Sequence, residues 1–158
     1  MKGNDMSDLP DWVQRNPTTG LARLQYEGKL LMKHFPHIGI YRDGPTLYLE
    51  GPVLSMSKNM YLLRVVYPKD YPYKKPEVHV RDEDVIKFCM QKGYHDFHHF
   101  EQSPVHGMKL CLMGDIDNVN KGWTPNQSGV TLLEYGIMWV HAYEFKQKKG
   151  YWPLPENK

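Results

Sequence analysis

The chain has 158 residues, a formal net charge of +2 and 41% hydrophobic residues. That length suits one domain around one core, and that apolar content excludes general disorder. Basic residues are scattered apart from short groups such as 146–149, which argues against a dedicated nucleic-acid surface. No apolar run reaches membrane-spanning length, and the first ten residues carry no signal-like apolar segment, so a cytoplasmic protein is expected.

In chain order, residues 1–17 read as a flexible N-terminal segment and 18–158 as a single domain. Thr18 or Thr19 can cap a helix running to about residue 34, with Leu21, Leu24, Gly28, Leu31 and Phe35 along one face. Gly28, in its middle, is expected to permit close packing against a neighbour. Strand-like runs follow at 38–42, 46–50 (ending at Gly51-Pro52) and 60–67, and a fourth at 77–80. Asp43-Gly44-Pro45 and residues 55–59 have the composition of hairpin turns, so the strands form an antiparallel meander. Between the third and fourth strands, Pro68, Pro72 and Pro76 make a stiff, aromatic-laced loop.

Residues 81–129 read as mostly irregular, apart from a helical turn at 83–91. So long an irregular stretch inside a compact domain points to function. The best helix of the chain spans 131–148, with rows Leu133, Ile137, Val140 and Leu132, Tyr135, Trp139, Tyr143. The order helix, strands, long loop, helix is that of an α+β domain.

Two cysteines, Cys89 and Cys111, are too few for a disulfide framework and are read as free thiols. Cys89 reads as a buried thiol. Cys111, between Leu110 and Leu112, has a bland reading as a buried cysteine and a sharper one as a nucleophile in a loop rich in acids and histidines.

A family resemblance supports the sharper reading. The run Tyr67-Pro68-Lys69-Asp70-Tyr71-Pro72-Tyr73-Lys74-Lys75-Pro76, then Gly107, Leu110-Cys111-Leu112, Trp123-Thr124-Pro125, and finally Ser128, Thr131, Leu132, Leu133 resembles, in order, the motifs of ubiquitin-conjugating enzymes. The resemblance spans about 18–148. Several features depart from the family. Residues 101–106 have no asparagine where the family carries His-Pro-Asn, the segments from Pro76 to Cys111 and from Cys111 to Trp123 are longer than in the eukaryotic enzymes, and the family's C-terminal helices are expected to be missing. These departures, and the ending Gly150-Tyr151-Trp152-Pro153, resemble the trimmed conjugating enzymes of bacterial antiviral operons.

What the resemblance implies is a carrier cysteine. Cys111, exposed on a rigid shelf, would take the C-terminus of a ubiquitin-like protein, or of a protein with such a tail, from an activating enzyme and pass it to a target amine. Tyr71, Pro72, Pro76, Trp123 and Pro125 would form the shelf. Asp115 and Asp117 could orient or deprotonate the amine, and Asn118 or Asn120 could supply the missing amide donor. His106, His98 or His99 could stand in as donor or base. His95, His98, His99 and His106 match no structural zinc spacing, so neither metal nor cofactor is expected. A cysteine hydrolase and a non-catalytic binding module for ubiquitin-like proteins stand as alternatives.

Overall fold

The computed structural model describes residues 8–93, 97–103, 105–112 and 122–154. Two helices come first, α1 (Asp11–Arg15) and α2 (Pro17–His34). Four strands follow: β1 (Gly39–Asp43), β2 (Thr46–Leu54), β3 (Met60–Val66) and β4 (Glu77–Val80). Then come α3 (Glu83–Lys92), β5 (His99–Ser103), β6 (Gly107–Leu110) and α4 (Gly129–Lys149). Among the described residues the strands form one antiparallel sheet in the order β1-β2-β3-β4-β6-β5. The chain is an α+β domain with the architecture expected of a conjugating enzyme, and α4 is the last helix of the described residues.

Alternation along the strands separates two faces. Leu63 and Val65 of β3, Val78 and Val80 of β4, and Met108 and Leu110 of β6 are all buried. Registers Leu63↔Val80 and Val80↔Met108 put them on one side, and α4 lies across β3 and β4 there. The opposite face carries Glu50, Arg64, Glu77, His79 and Lys109, paired Glu50↔Arg64, Arg64↔His79 and His79↔Lys109. α4 starts with a reciprocal cap between Ser128 and Thr131. Its far end is pinned to the β2–β3 turn, where Glu144 Oε2 accepts from Ser55 Oγ (2.9 Å), Asn59 Nδ2 (2.8 Å) and Tyr61 Oη (2.6 Å).

Four expectations are corrected. Residues 11–15 are a helix with Trp12 and Val13 in the core, because this apolar pair has somewhere to go: Trp12 packs edge-on against Tyr71, 4.9 Å between rings. The glycine that allows close packing is Gly20, not Gly28. A β-carbon at Gly20 would lie 2.7 Å from Val13 Cα, whereas Gly28 faces open space. The inward face of α2 is accordingly Gly20, Glu27 and Leu31, and Leu21 is exposed.

Strand β2 continues through Gly51-Pro52, with Pro52 opposite Leu62. Its β1 partner ends at Glu50, so the missing proline N–H falls on an edge where no ladder bond is needed. Finally, the stretch after residue 81 is less irregular than expected. The helical turn becomes α3, and β5 and β6 form a hairpin that extends the sheet beyond β4.

Candidate functional site

Cys111 follows directly on the last residue of β6, so the sheet fixes its position. Its backbone N–H donates to the carbonyl of His98 (3.1 Å). The same oxygen accepts from Trp139 Nε1 on α4 (3.2 Å). His98 reaches this arrangement with a φ of 37°, a left-handed backbone costing about 1–3 kcal/mol in a non-glycine residue. Two hydrogen bonds and the stacking of its imidazole on Trp152 (4.8 Å, 21°) hold it there. Gly107, at the start of β6, has φ 105°, and a β-carbon there would run into the carbonyl oxygen of Val80. The glycine ahead of the cysteine is thus a demand of the β4–β6 pairing.

The proline loop ties this strand to the rest of the site. Lys75, 4% exposed, donates from Nζ to the carbonyl of Leu112 (2.7 Å), the residue after Cys111. Burial, and then the Lys109 ammonium, pull its proton affinity down to about 7, while Cys111 and Glu77 act the other way. At the loop's other end Trp123 Nε1 donates to the carbonyl of Pro72 (2.9 Å), with Tyr71 and Trp123 rings 6.1 Å apart. Pro76 is buried and Pro125 exposed. The five expected shelf residues therefore split: Tyr71, Pro72 and Trp123 interlock, and Pro125 contributes through its carbonyl.

That carbonyl leads to a residue the sequence reading passed over. Arg23 of α2 donates to Pro125 O (2.5 Å), Tyr71 Oη (2.8 Å) and Glu27 Oε2 (3.1 Å), and to the carbonyl of Gln127. Glu27, only 2% exposed, also accepts from Tyr67 Oη (2.7 Å), Tyr71 Oη (2.5 Å) and the N–H of Gly129 at the N-terminus of α4 (2.8 Å). Burial and the neighbouring carboxylate push both phenols well above the ordinary tyrosine value, so they stay protonated donors. A carboxylate at a helix N-terminus is further favoured by the helix dipole. Two signals could have found Glu27: it lies seven residues after Gly20 and four before Leu31, on the buried row, and Arg23 sits one turn earlier.

The histidines are not brought together at the thiol. His98 adjoins Cys111 through its backbone, with its ring on Trp152. His99 Nε2 lies 3.0 Å from the carbonyl of Cys89 on α3. His106 sits before β6, with Cys111 just after it, roughly 15 Å apart along an extended strand. There its Nδ1 is 3.1 Å from Arg64 Nη1, and burial, His79 and Arg64 lower its proton affinity. A strand's length thus separates the histidine nearest in sequence from the cysteine. Cys89 is buried, and burial alone lifts its thiol to about 12, which makes it inert near neutrality.

Cys111 was expected exposed; instead it is 2% exposed. Its neighbours Leu110 and Leu112 belong to the same core. Asp115, Asp117, Asn118, Asn120 and His95 lie outside the described residues. Among the described residues no three His, Cys, Asp or Glu side chains group to hold a metal ion, and no helix is long and apolar enough to cross a membrane.

A family model described as Type II CBASS E2 protein matches residues 27–158, which includes the proline loop, Cys111, Trp123 and the whole of α4. No curated protein matches the chain.

Proposed function

This chain belongs to the type II CBASS E2 family, which gives it an E2-like role in antiviral defence, and from that premise we propose that Cys111 is its carrier thiol. Cys111 accepts the C-terminus of a ubiquitin-like protein, or of a protein with such a tail, from an activating enzyme in the cytoplasm. It then hands the acyl group to a target amine. The observation that carries this reading is the placement of Cys111, within the family match, at the end of a sheet strand whose backbone is tied to His98 and whose next residue is tied to Lys75. A thiolate is a good acyl acceptor and a good leaving group, so a held sulfur and an activated donor suffice for the first step. In the second step the departing charge is a thiolate, which needs a stabilising environment. Asp115 or Asp117 would take the amine's proton.

The test is intact-protein mass spectrometry without reductant after co-expression with the neighbouring operon genes. A protein-sized adduct on the wild type, released by reductant and lost in Cys111→Ala, is the expected result. The absence of any adduct with all partners present would overturn the carrier role.

The burial of Cys111 favours one second reading, a non-catalytic module that binds ubiquitin-like proteins. A stable complex that forms equally with Cys111→Ser and shows no adduct would establish it. The hydrolase reading has less support, because His99 and His106 face other partners.

A further inference from the structure

We propose that Trp152 is a positioning residue for Cys111: the C-terminal segment 150–154 is a strap whose indole holds His98 in its left-handed conformation, and through the His98 carbonyl keeps the cysteine docked at the sheet end. The proposal takes its purpose from the carrier reading of Cys111, because a carrier thiol that is 2% exposed has to be uncovered before it can accept an acyl group. The geometry stands without that reading. The Trp152 ring stacks on the His98 imidazole at 4.8 Å and 21°. His98 has a φ of 37°. Its carbonyl accepts from the N–H of Cys111 (3.1 Å) and from Trp139 Nε1 (3.2 Å).

The two tryptophans that meet at His98 differ in what holds them. Trp139 lies inside α4 and is fully buried, so its half of the junction is fixed. Trp152 comes after α4, where Gly150 (φ 89°) turns the chain out of the helix. Beyond Gly150, among the described residues, rings rather than backbone hydrogen bonds hold the segment. Trp152 meets His98, Trp139 (5.9 Å) and Phe97 (6.4 Å), and Tyr151 meets Phe145 (5.2 Å). Trp152 is half-buried, between the exposed Tyr151 and Pro153. A surface segment held by a few ring contacts opens more readily than a helix or a paired strand.

A left-handed backbone in a non-glycine residue persists only while its surroundings hold it. With the indole withdrawn, His98 loses that stack and relaxes toward ordinary backbone angles, and its carbonyl turns away from Cys111. The cysteine N–H loses that acceptor, and the strand end at Cys111 separates from His98 while the layer of Leu63, Val80 and Met108 stays packed. The strap thus sets how often Cys111 is reachable. In the carrier reading it shields the thiol between encounters. Trp152 touches no reacting atom and acts through His98 alone.

The test is alkylation of the full chain by iodoacetamide at one fixed pH without partners, with Cys111 and Cys89 quantified separately by peptide mass spectrometry. Cys89 is buried on α3 and reports opening of the whole domain. The expected result is Cys111 alkylated about three- to tenfold faster in Trp152→Ala, the factor that losing one ring pair supplies, with Cys89 unchanged. His98→Ala removes the same stack from its other side and should match it. Trp152→Phe keeps a ring against His98 and should stay within about twofold of wild type. Glycine takes a positive φ without cost, so His98→Gly keeps the carbonyl in place without the stack. Adding Trp152→Ala to His98→Gly should therefore change the Cys111 rate by less than about twofold. Unchanged rates in Trp152→Ala and His98→Ala would overturn the proposal. So would equal acceleration of both cysteines, which is general destabilisation, or full acceleration by Trp152→Ala in the His98→Gly background, which is mere covering of the thiol. Adduct formation with the operon partners is scored separately. An adduct on the wild type with no selective change in alkylation sinks only the strap, and a selective change with no adduct sinks only the carrier reading.

Discussion

Glu27 and Lys75 are both ionisable side chains taken almost completely out of water, yet they sit in opposite chemical situations. Glu27 accepts hydrogen bonds from an arginine, two phenols and a helix N-terminus, drawn from α2, the proline loop and α4. Lys75 donates to the carbonyl of Leu112, and burial and the Lys109 ammonium lower its proton affinity to about 7. A buried charge surrounded by convergent donors locks elements together. A buried amine whose proton affinity lies near neutrality changes its charge with pH. One loop, 68–76, carries contacts to both, which is how the rigid half of the site is joined to the reactive half.

The sharpest way to break the comparison is Glu27→Ala. It leaves two buried hydroxyls and a backbone N–H without their acceptor and removes one of the four acceptors of the half-buried Arg23, and should cost about 3–5 kcal/mol in urea unfolding. At this chain length that is a fall in melting temperature on the order of 10 °C. A loss below about 1 kcal/mol would mean the hub is dispensable.

Lys75→Met should act on the pH dependence of stability, because it removes a buried amine whose proton affinity falls on folding. The sign follows from linkage. A lysine whose folded affinity is about 7 against an ordinary 10.5 binds fewer protons folded than unfolded between those values. Wild-type stability therefore climbs with pH across that window, and the climb should flatten in Lys75→Met. Thermal melts across the window check this, and an unchanged slope would contradict it.

The smallest effect is expected at Glu77. Hydrogen bonding to His79 leads the causes that hold its carboxyl at about 2, outweighing burial, so its contribution is present above the ordinary carboxylate value of 4.5 and is lost as pH falls towards 2. Its side chain is partly exposed, so solvent screens the effect. Glu77→Gln should shallow the acid limb of the melting curve without moving the neutral value by more than a degree or two.

What the sequence made legible were features with local signatures. Strand β4 at 77–80, helix α3, helix α4 and the ordered motifs around Cys111 each declare themselves within a few residues, and the structure places them there. The β5–β6 hairpin did not, because its strands are short and β6 is held by pairing with β4 from a distance in sequence. The continuation of β2 through Pro52 was hidden for a similar reason: only the end of β1 makes a proline harmless there.

The candidate site was legible in its nucleophile and less so in its helpers. His106 is the histidine nearest to Cys111 in sequence, and a four-residue strand undoes that nearness in space. Glu27 had a readable position on α2 but a residue type that argues for the surface. Lys75 gave no signal at all, since nothing about a lysine between prolines says that its amine turns inward.

The Glu27 hub also has a consequence for the order in which the protein is made. Arg23 and Glu27 leave the ribosome early, Tyr67 and Tyr71 follow, and Gly129 comes far later. Cys111 is synthesised before Gly129 and before Trp139, whose indole shares the His98 carbonyl with it. Until the middle of α4 has emerged, the nascent chain displays its thiol without the indole that later shares the His98 carbonyl with it. The period of greatest vulnerability to oxidants is therefore during translation, and a slow passage through the codons after Cys111 would lengthen it.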